Sequence, residues 1–227
     1  MLELLLPQRC LLCGAGGTQL CPACRARLPP LRPPLCERCG APTAWPVKRC
    51  RECAGRRLAF ETAGAAAPYE AGVVRLVAAW KEHGLRGLAD DAAALVAERL
   101  PRPVADTVTF VPPDPERRLV RGYNPAQRLA EALARRWELP CEQFLVRAGP
   151  SRRQRGLPLA ERRRNVRSVF ASAPARGTVV LVDDVYTSGA TANAAAGALR
   201  SGGARRVDVV TFARTVRSSQ VGLERRR

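Results

Sequence analysis

The stretch Val179-Val-Leu-Val-Asp183-Asp184-Val-Tyr-Thr187-Ser188-Gly189-Ala190-Thr191 gathers the groups needed to hold a sugar phosphate together with a divalent cation. Two adjacent carboxylates offer hard oxygen ligands to a metal or acceptors to ribose hydroxyls. Thr187, Ser188 and Gly189 fall where a new helix would begin, and the first amides of a helix have no partners within it. Those N–H groups and the positive end of the helix dipole suit a phosphate, and small side chains let it approach closely. Asp, Thr and Ser are common at ordinary strand ends and helix caps. The weight therefore rests on the unbroken order of the whole stretch. A strand ending in acids also accompanies phosphate loops of the form Gly-x-x-x-x-Gly-Lys-Ser/Thr. Here the two lysines, Lys48 and Lys81, do not follow glycines, which excludes that reading.

A second chemistry lies in the cysteines. Eight of nine form four Cys-x-x-Cys pairs: Cys10/Cys13, Cys21/Cys24, Cys36/Cys39 and Cys50/Cys53. Each pair can place two thiolates on one metal, and two pairs complete a tetrahedral site. Gly14 and Gly40 directly follow their pairs, where a tight turn can aim backbone N–H groups at sulfur. Redox chemistry would call for one such pair in a βαβ setting. Disulfides belong to oxidising compartments, and Leu2 to Leu6 is too short, and lacks the basic start, for a signal-peptide core. The expectation is two structural zinc ions, one on Cys10, Cys13, Cys21 and Cys24 and one on Cys36, Cys39, Cys50 and Cys53, with interleaved pairing left open. Closed four-cysteine sites offer no position for catalysis, so the zinc is scaffolding. Cys141 stands alone and reads as a buried apolar residue.

These groups need elements to position them. Val179 to Val182 reads as a strand covered on both faces, and the Ala-rich run from Ala190 to Ser201 as a helix stopped by Gly202-Gly203. Further strands are expected at 58–69, 108–111, 143–146 and 207–212. Helical spacing runs from Val73 to Leu100, broken near Gly84 and Gly87. Asn124 caps a helix with Pro125 at its first position, ending near Trp137. Alternating strands and helices predict an α/β fold with a parallel, doubly wound sheet. The expected division is 1–57 for a Pro- and Cys-rich double zinc ribbon, 58–214 for the α/β domain and 215–227 for a disordered basic tail.

In such sheets ligands bind outside the carboxyl ends of the strands. Three strands are expected to send loops to that rim. One loop carries Arg117, Arg118, Arg121 and Gly122, one carries Arg152 to Arg155 and Arg162 to Arg164, and one carries Asp183 and Asp184. Two basic loops and one acidic loop suit a ligand with pyrophosphate at one end and phosphate at the other. The formal charge of +18 falls to about +14 once eight thiolates and two zinc ions are counted, and an excess of that size implies anionic partners. No stretch approaches the roughly 18 apolar residues that span a bilayer. A soluble, cytoplasmic protein without membrane insertion is expected.

The acid-pair stretch resembles the phosphoribosyl-diphosphate (PRPP) binding motif of type I phosphoribosyltransferases. The chain as a whole resembles the ComF family, a zinc ribbon joined to a phosphoribosyltransferase domain. Arg121-Gly122-Tyr123-Asn124 resembles that family's Arg-Gly-Phe-Asn motif. Gln154, Leu157, Arg162, Asn165, Val166 and Phe170 match a further signature, and Lys81 stands where the family has lysine. Glu82 departs from the aromatic expected after that lysine, and Pro125 from the glutamine expected after Asn124. The resemblance implies a PRPP or ribose 5-phosphate site with Mg2+. Asp183 and Asp184 would lie on the ribose, and Thr187, Ser188, Gly189, Ala190 and Thr191 on the 5′-phosphate. Arg117, Arg118, Arg121, Gly122, Arg155 and Lys81 would lie towards the pyrophosphate. It also implies a role around DNA uptake, competence and single-stranded DNA handling with DNA-processing proteins. His83, the one histidine, is expected at an exposed helix end rather than in catalysis. Two classes remain: phosphoribosyl transfer to a nitrogen nucleophile, and a non-catalytic single-stranded DNA-binding adaptor. The second would use the Arg loops, with Trp45, Trp80, Trp137, Tyr123 and Tyr186 as stacking candidates.

Overall fold

The computed structural model describes residues 8–147 and 169–216, with Arg117 and Arg118 described in backbone only. The elements in chain order are α1 (Pro22–Arg27), β1 (Thr62–Pro68), α2 (Ala71–Glu82), α3 (Leu88–Arg99), β2 (Thr107–Phe110), α4 (Pro115–Arg121) and α5 (Pro125–Trp137). They are followed by β3 (Leu145–Arg147), β4 (Phe170–Ser172), β5 (Thr178–Tyr186), α6 (Ala190–Ser201) and β6 (Arg206–Arg214). Four strands form one sheet in the order β1-β6-β5-β2, and every pairing in it is parallel.

β5 shows why this sheet must be covered on both sides. Val180 and Val182 pack with Val77, Trp80, Leu95, Leu129 and Leu133 from α2, α3 and α5. Val179 and Leu181 point the other way and pack with Ala195, Ala196 and Leu199 of α6. All four strand residues are fully buried, so a continuous apolar run is what the two-faced position demands. The doubly wound α/β class expected from the sequence is the class observed.

Local signals explain the helix ends. Asn124 Oδ1 accepts from Ala126 N at 3.1 Å while its Nδ2 donates to Val111 O at 3.0 Å, and Pro125 opens α5. α2 stops at His83 and Gly84, the latter at φ 69; His83 is exposed there, as expected. No helix among the described residues is long and apolar enough to cross a membrane.

One expectation needs correction. The strand expected at 143–146 lies at Leu145–Arg147 and is not part of the parallel sheet; it pairs antiparallel with β4. The chain just before it meets β2 through a bridge between Val108 and Cys141, and Cys141 is half-buried there. The strand expected at 58–69 is β1, which pairs with β6 from Thr62 to Pro68 as an edge of the main sheet. Arg214 ends β6 at 1% exposure. Residues 217–227 lie outside the described residues.

The two cysteine groups form by the same local device. Gly14 N donates to Cys10 O and Gly40 N to Cys36 O, each at 2.8 Å, with φ 80 and φ 67 at the glycines. Cys21 N and Cys50 N then donate to Cys10 Sγ and Cys36 Sγ, at 3.5 and 3.3 Å. Pairing is sequential: Cys10, Cys13, Cys21 and Cys24 form one cluster, and Cys36, Cys39, Cys50 and Cys53 the other. Sulfur–sulfur distances of 3.7 Å (Cys13–Cys21), 3.7 Å (Cys36–Cys53) and 3.4 Å (Cys39–Cys50) are far from a disulfide. They match the edge of a tetrahedron about roughly 2.3 Å zinc–sulfur bonds.

Charge makes the same demand. Burial alone would raise the Cys10 thiol, but backbone N–H groups of Cys21, Cys13 and Leu12 outweigh it and bring it down to about 6. Hydrogen bonding to Cys13 and burial push Cys24 up to about 12, and burial with the neighbouring sulfurs raises Cys39. One thiolate thus opposes the next until a cation joins them. The clusters are consistent with two structural zinc ions, and they sit on opposite faces of the sheet. Cys10 and Cys24 join the core of α2 and α3, whereas all four cysteines of the second cluster join the core of α6.

Metal analysis of the purified chain should return two zinc ions per molecule. Cys39→Ser should leave about one, with an earlier thermal melt, since four ligands close a structural site. Retention of both ions in that variant would remove Cys39 from the second site.

Candidate functional site

Parallel strands end on one side, and the acid pair lies there. Asp183 and Asp184 are the sixth and seventh residues of the nine-residue β5. The strand continues through them to Tyr186, further than the apolar run alone suggests. Asp183 pairs in register with Thr211 of β6. Its Oδ1 accepts from Asp184 N at 2.9 Å. Asp184 is met by Lys81 Nζ, from the last turn of α2, at 2.6 Å. Their side chains are 14% and 23% exposed, so this is a sheltered ion pair rather than a surface one.

Among the described residues, Asp183 has no such direct cation. Burial, then the charge of Asp184, push its carboxyl up to about 7, against the pull of Asp184 N, Lys81 and Arg147. Arg147 closes β3; its Nε donates to Pro112 O at 3.4 Å and its guanidinium lies 5.1 Å from the centroid of the Phe170 ring. β3 thus reaches the rim after all, from a separate small sheet rather than as a parallel strand.

Beyond Tyr186 the chain turns through Thr187, Ser188 and Gly189 into α6. Thr187, Ser188, Ala190 and Thr191 are exposed and Gly189 is buried. Gly189 caps α6 at φ 72, and the first amide of the helix, Ala190 N, donates to Ser188 Oγ at 3.4 Å. A Cβ at Gly189 would collide with the Tyr186 hydroxyl, so glycine is required by both conformation and space. The exposed residues of this turn are all small and lead into the first amides of α6, the end of a helix that suits an anion.

On the neighbouring loop, α4 contains Arg117, Arg118 and Arg121, and Gly122 follows at φ 68. Arg121 donates to Glu82, beside Lys81. Arg86 lies 5.1 Å over the ring of Tyr123. Burial raises the Tyr123 phenol, and its hydroxyl is buried without a partner among the described residues. Lys81 at the end of α2 thus meets the acid pair, while Glu82 and Arg86 of the same stretch meet Arg121 and Tyr123. Arg155 and the basic run from 151 to 167 lie outside the described residues.

Sequence reasoning did not single out Arg147, Arg86 or Arg56. Arg56 donates to Ser188 O at 2.8 Å across 132 positions of chain, and nothing local in the sequence signals that contact. Arg147 had a weak signal, being the last residue of a short apolar run before the Arg-rich segment. A groove of about 660 Å³ opens at the opposite end of the sheet between Leu100–Val104 and the starts of β5 and β6. Its one lining acid, Asp208, is occupied by Arg206 at 2.8 Å and Thr62 at 2.7 Å.

Residues 1–54 match the family described as a double zinc ribbon domain. Competence protein F of Haemophilus influenzae is 35% identical over 100 residues, covering 41% of this chain and 44% of that protein. DNA utilization protein YhgH of Salmonella typhi is 29% identical over 209 residues, covering 87% of this chain and 91% of the relative. Among solved structures, the α/β part resembles glutamine PRPP amidotransferase from B. subtilis complexed with ADP and GMP. The TM-score is 0.43 with 25% identity over 56% of this chain and 26% of that one. TT1426 from Thermus thermophilus follows at TM-score 0.36 and 22% identity, over 57% of this chain and 83% of that one. Both TM-scores are below 0.5, so these superpositions are loose. The chain thus carries a double zinc ribbon domain ahead of a parallel α/β fold, and its homologues include proteins named Competence protein F and DNA utilization protein YhgH.

Proposed function

We propose that the rim of the sheet binds PRPP or a related ribose phosphate with magnesium, and that the protein transfers the phosphoribosyl group to a nitrogen nucleophile. The observation that carries this reading is the acid pair Asp183–Asp184, with Lys81 on Asp184 at 2.6 Å, followed at once by a turn of small, mostly exposed residues at Thr187–Thr191 that opens α6. Magnesium suits the donor set, since both acids offer hard carboxylate oxygens. When bound with a diphosphate ligand, it would neutralise charge on the departing pyrophosphate.

The chain's own groups supply the rest. Asp183 and Asp184 accept from the ribose hydroxyls and orient the sugar. The turn from Thr187 to Thr191 takes the 5′-phosphate. Lys81, Arg121 and the backbone at Gly122 lie towards the pyrophosphate, with Arg117, Arg118 and Arg155 assigned there from the sequence. The anomeric carbon becomes cation-like as the bond breaks, so positioning and electrostatic stabilisation do most of the work. The names of the relatives support a place in DNA uptake or DNA utilization.

A second reading, a single-stranded DNA-binding adaptor, draws on the same names and on the formal charge of +18. Its stacking groups are mostly spent on packing: Trp80, Trp137, Tyr123 and Tyr186 are buried, whereas Trp45 is 69% exposed. That distribution favours the small-ligand reading, since base stacking needs accessible rings.

Calorimetry with PRPP and magnesium should show binding that Asp183→Asn/Asp184→Asn weakens by roughly a hundredfold, as loss of two charge-assisted contacts implies. Undiminished binding would contradict the role given to the acids. A pH series separates the two carboxylates. The ligand requires ionised Asp183, whose proton is held up to about 7. Affinity should therefore rise between about pH 6 and pH 8, and Asp183→Asn should flatten that rise. Single-stranded DNA binding, if measurable, should weaken steeply with salt; a salt-independent complex would speak against electrostatic tracking by the arginines.

A further inference from the structure

The segment that closes the second four-cysteine cluster also holds the turn between β5 and α6. Arg56, three residues past Cys53, donates to Ser188 O at 2.8 Å. Ala59 N donates to Asn193 Oδ1 at 2.7 Å, and Asn193 Nδ2 donates to Arg57 O at 3.4 Å, fastening the first turn of α6. Beneath the turn, Arg214 donates to Cys39 O and pairs with Glu52 at 3.0 Å. Its guanidinium faces the Tyr186 ring at 5.0 Å, and Tyr186 fills the space under Gly189. Three separate connections thus run from residues 39–59 to residues 186–193.

The first ribbon engages different elements. Arg25 pairs with Glu98 at 2.7 Å, and Arg99 donates to Leu28 O at 2.7 Å and Pro29 O at 3.2 Å. Those contacts hold α3, on the other face of the sheet.

Peptide geometry gives the Arg56 contact a consequence. A trans peptide is planar, with its C=O and N–H on opposite sides. Holding the Ser188 carbonyl on Arg56 therefore directs the Gly189 N–H away from Arg56 and opposes a flip that would turn a carbonyl oxygen towards the anion. The turn's side chains are small and, Gly189 apart, exposed, so they offer few contacts to resist such a flip.

We propose that the second zinc ribbon is a working part of the ribose-phosphate site, with Arg56 and Arg214 as positioning residues for the turn 187–191. The proposal deepens the reading of that turn as a phosphate cradle and rests on it. Arg56 also brings positive charge to a turn that must receive a dianion.

The test uses the full zinc-loaded chain, as wild type, Arg56→Ala, Arg56→Lys and a first-ribbon control, Arg25→Ala. Amide hydrogen exchange across 187–191 and calorimetry with PRPP and magnesium are read together with zinc content and melting temperature. Arg56→Ala should speed exchange in 187–191 several-fold and weaken PRPP by about tenfold, the worth of one charged hydrogen bond. It should keep both zinc ions and the wild-type melt. Arg56→Lys should recover part of the affinity through its single donor group, and Arg25→Ala should change neither readout. Wild-type exchange rates in Arg56→Ala would overturn the proposal, and so would a loss of zinc or of melting temperature, which would make Arg56 a scaffold residue only. If the wild-type chain fails to take up PRPP, the phosphate reading falls by itself, while the exchange measurement still decides whether Arg56 positions the turn.

Discussion

Two carboxylates cannot both stay charged side by side at the end of a sheltered strand unless cations answer them. That constraint organises the rim of this protein. Asp184 is answered by Lys81, which α2 delivers from its last turn. Asp183 is only partly answered, by the field of Lys81 and Arg147, and so holds its proton up to about 7. A half-neutralised acid pair is a poor way to stabilise a fold, because burial of charge costs more than a distant partner returns. In the function proposed here, that pair is the place kept for a divalent cation. Departures from the best packing concentrate where ligands act.

The metal clusters follow a different logic. Each sulfur set is closed, so the clusters serve as rigid corners, and a chain segment with little periodicity gains a fixed shape from them. Their placement is asymmetric. One braces α2 and α3, which carry Lys81 and the turn to Arg86; the other reaches the β5–α6 turn through Arg56, Asn193 and Arg214. The sheet edge formed by β1 lies between them, with Ala63 N donating to Arg38 O at 3.1 Å and no room for a Cβ at Gly40 against Ala63 O. The ribbons are therefore built into the α/β core rather than appended to it.

Much of the local structure was legible because it depends on short-range chemistry. Asn124-Pro125 and Gly202-Gly203 mark helix ends, and the Cys-x-x-Cys-Gly turns mark metal knuckles, each through backbone groups a few residues apart. The acid pair and the turn after it were legible for the same reason. What escaped was set by long-range pairing. β3 reads like any short strand, yet it pairs antiparallel with β4 because its neighbours in space, not its residues, decide the partner. Arg214 reads only as the last residue of the expected α/β domain, yet it ends buried between Glu52, the Cys39 carbonyl and Tyr186.

The amino-acid order alone settled which groups are available: eight cysteines in pairs at metal spacing, two adjacent acids, an amide-bearing turn and an excess of arginine. It did so because each of these is defined within a dozen residues, where chain connectivity already dictates proximity. Tertiary structure decided who faces whom. Lys81 meets Asp184, Arg56 meets Ser188, and the sulfur clusters take opposite faces of one sheet. A sequence lists charges, but the dielectric around them and the distance between them exist only once the strands are side by side.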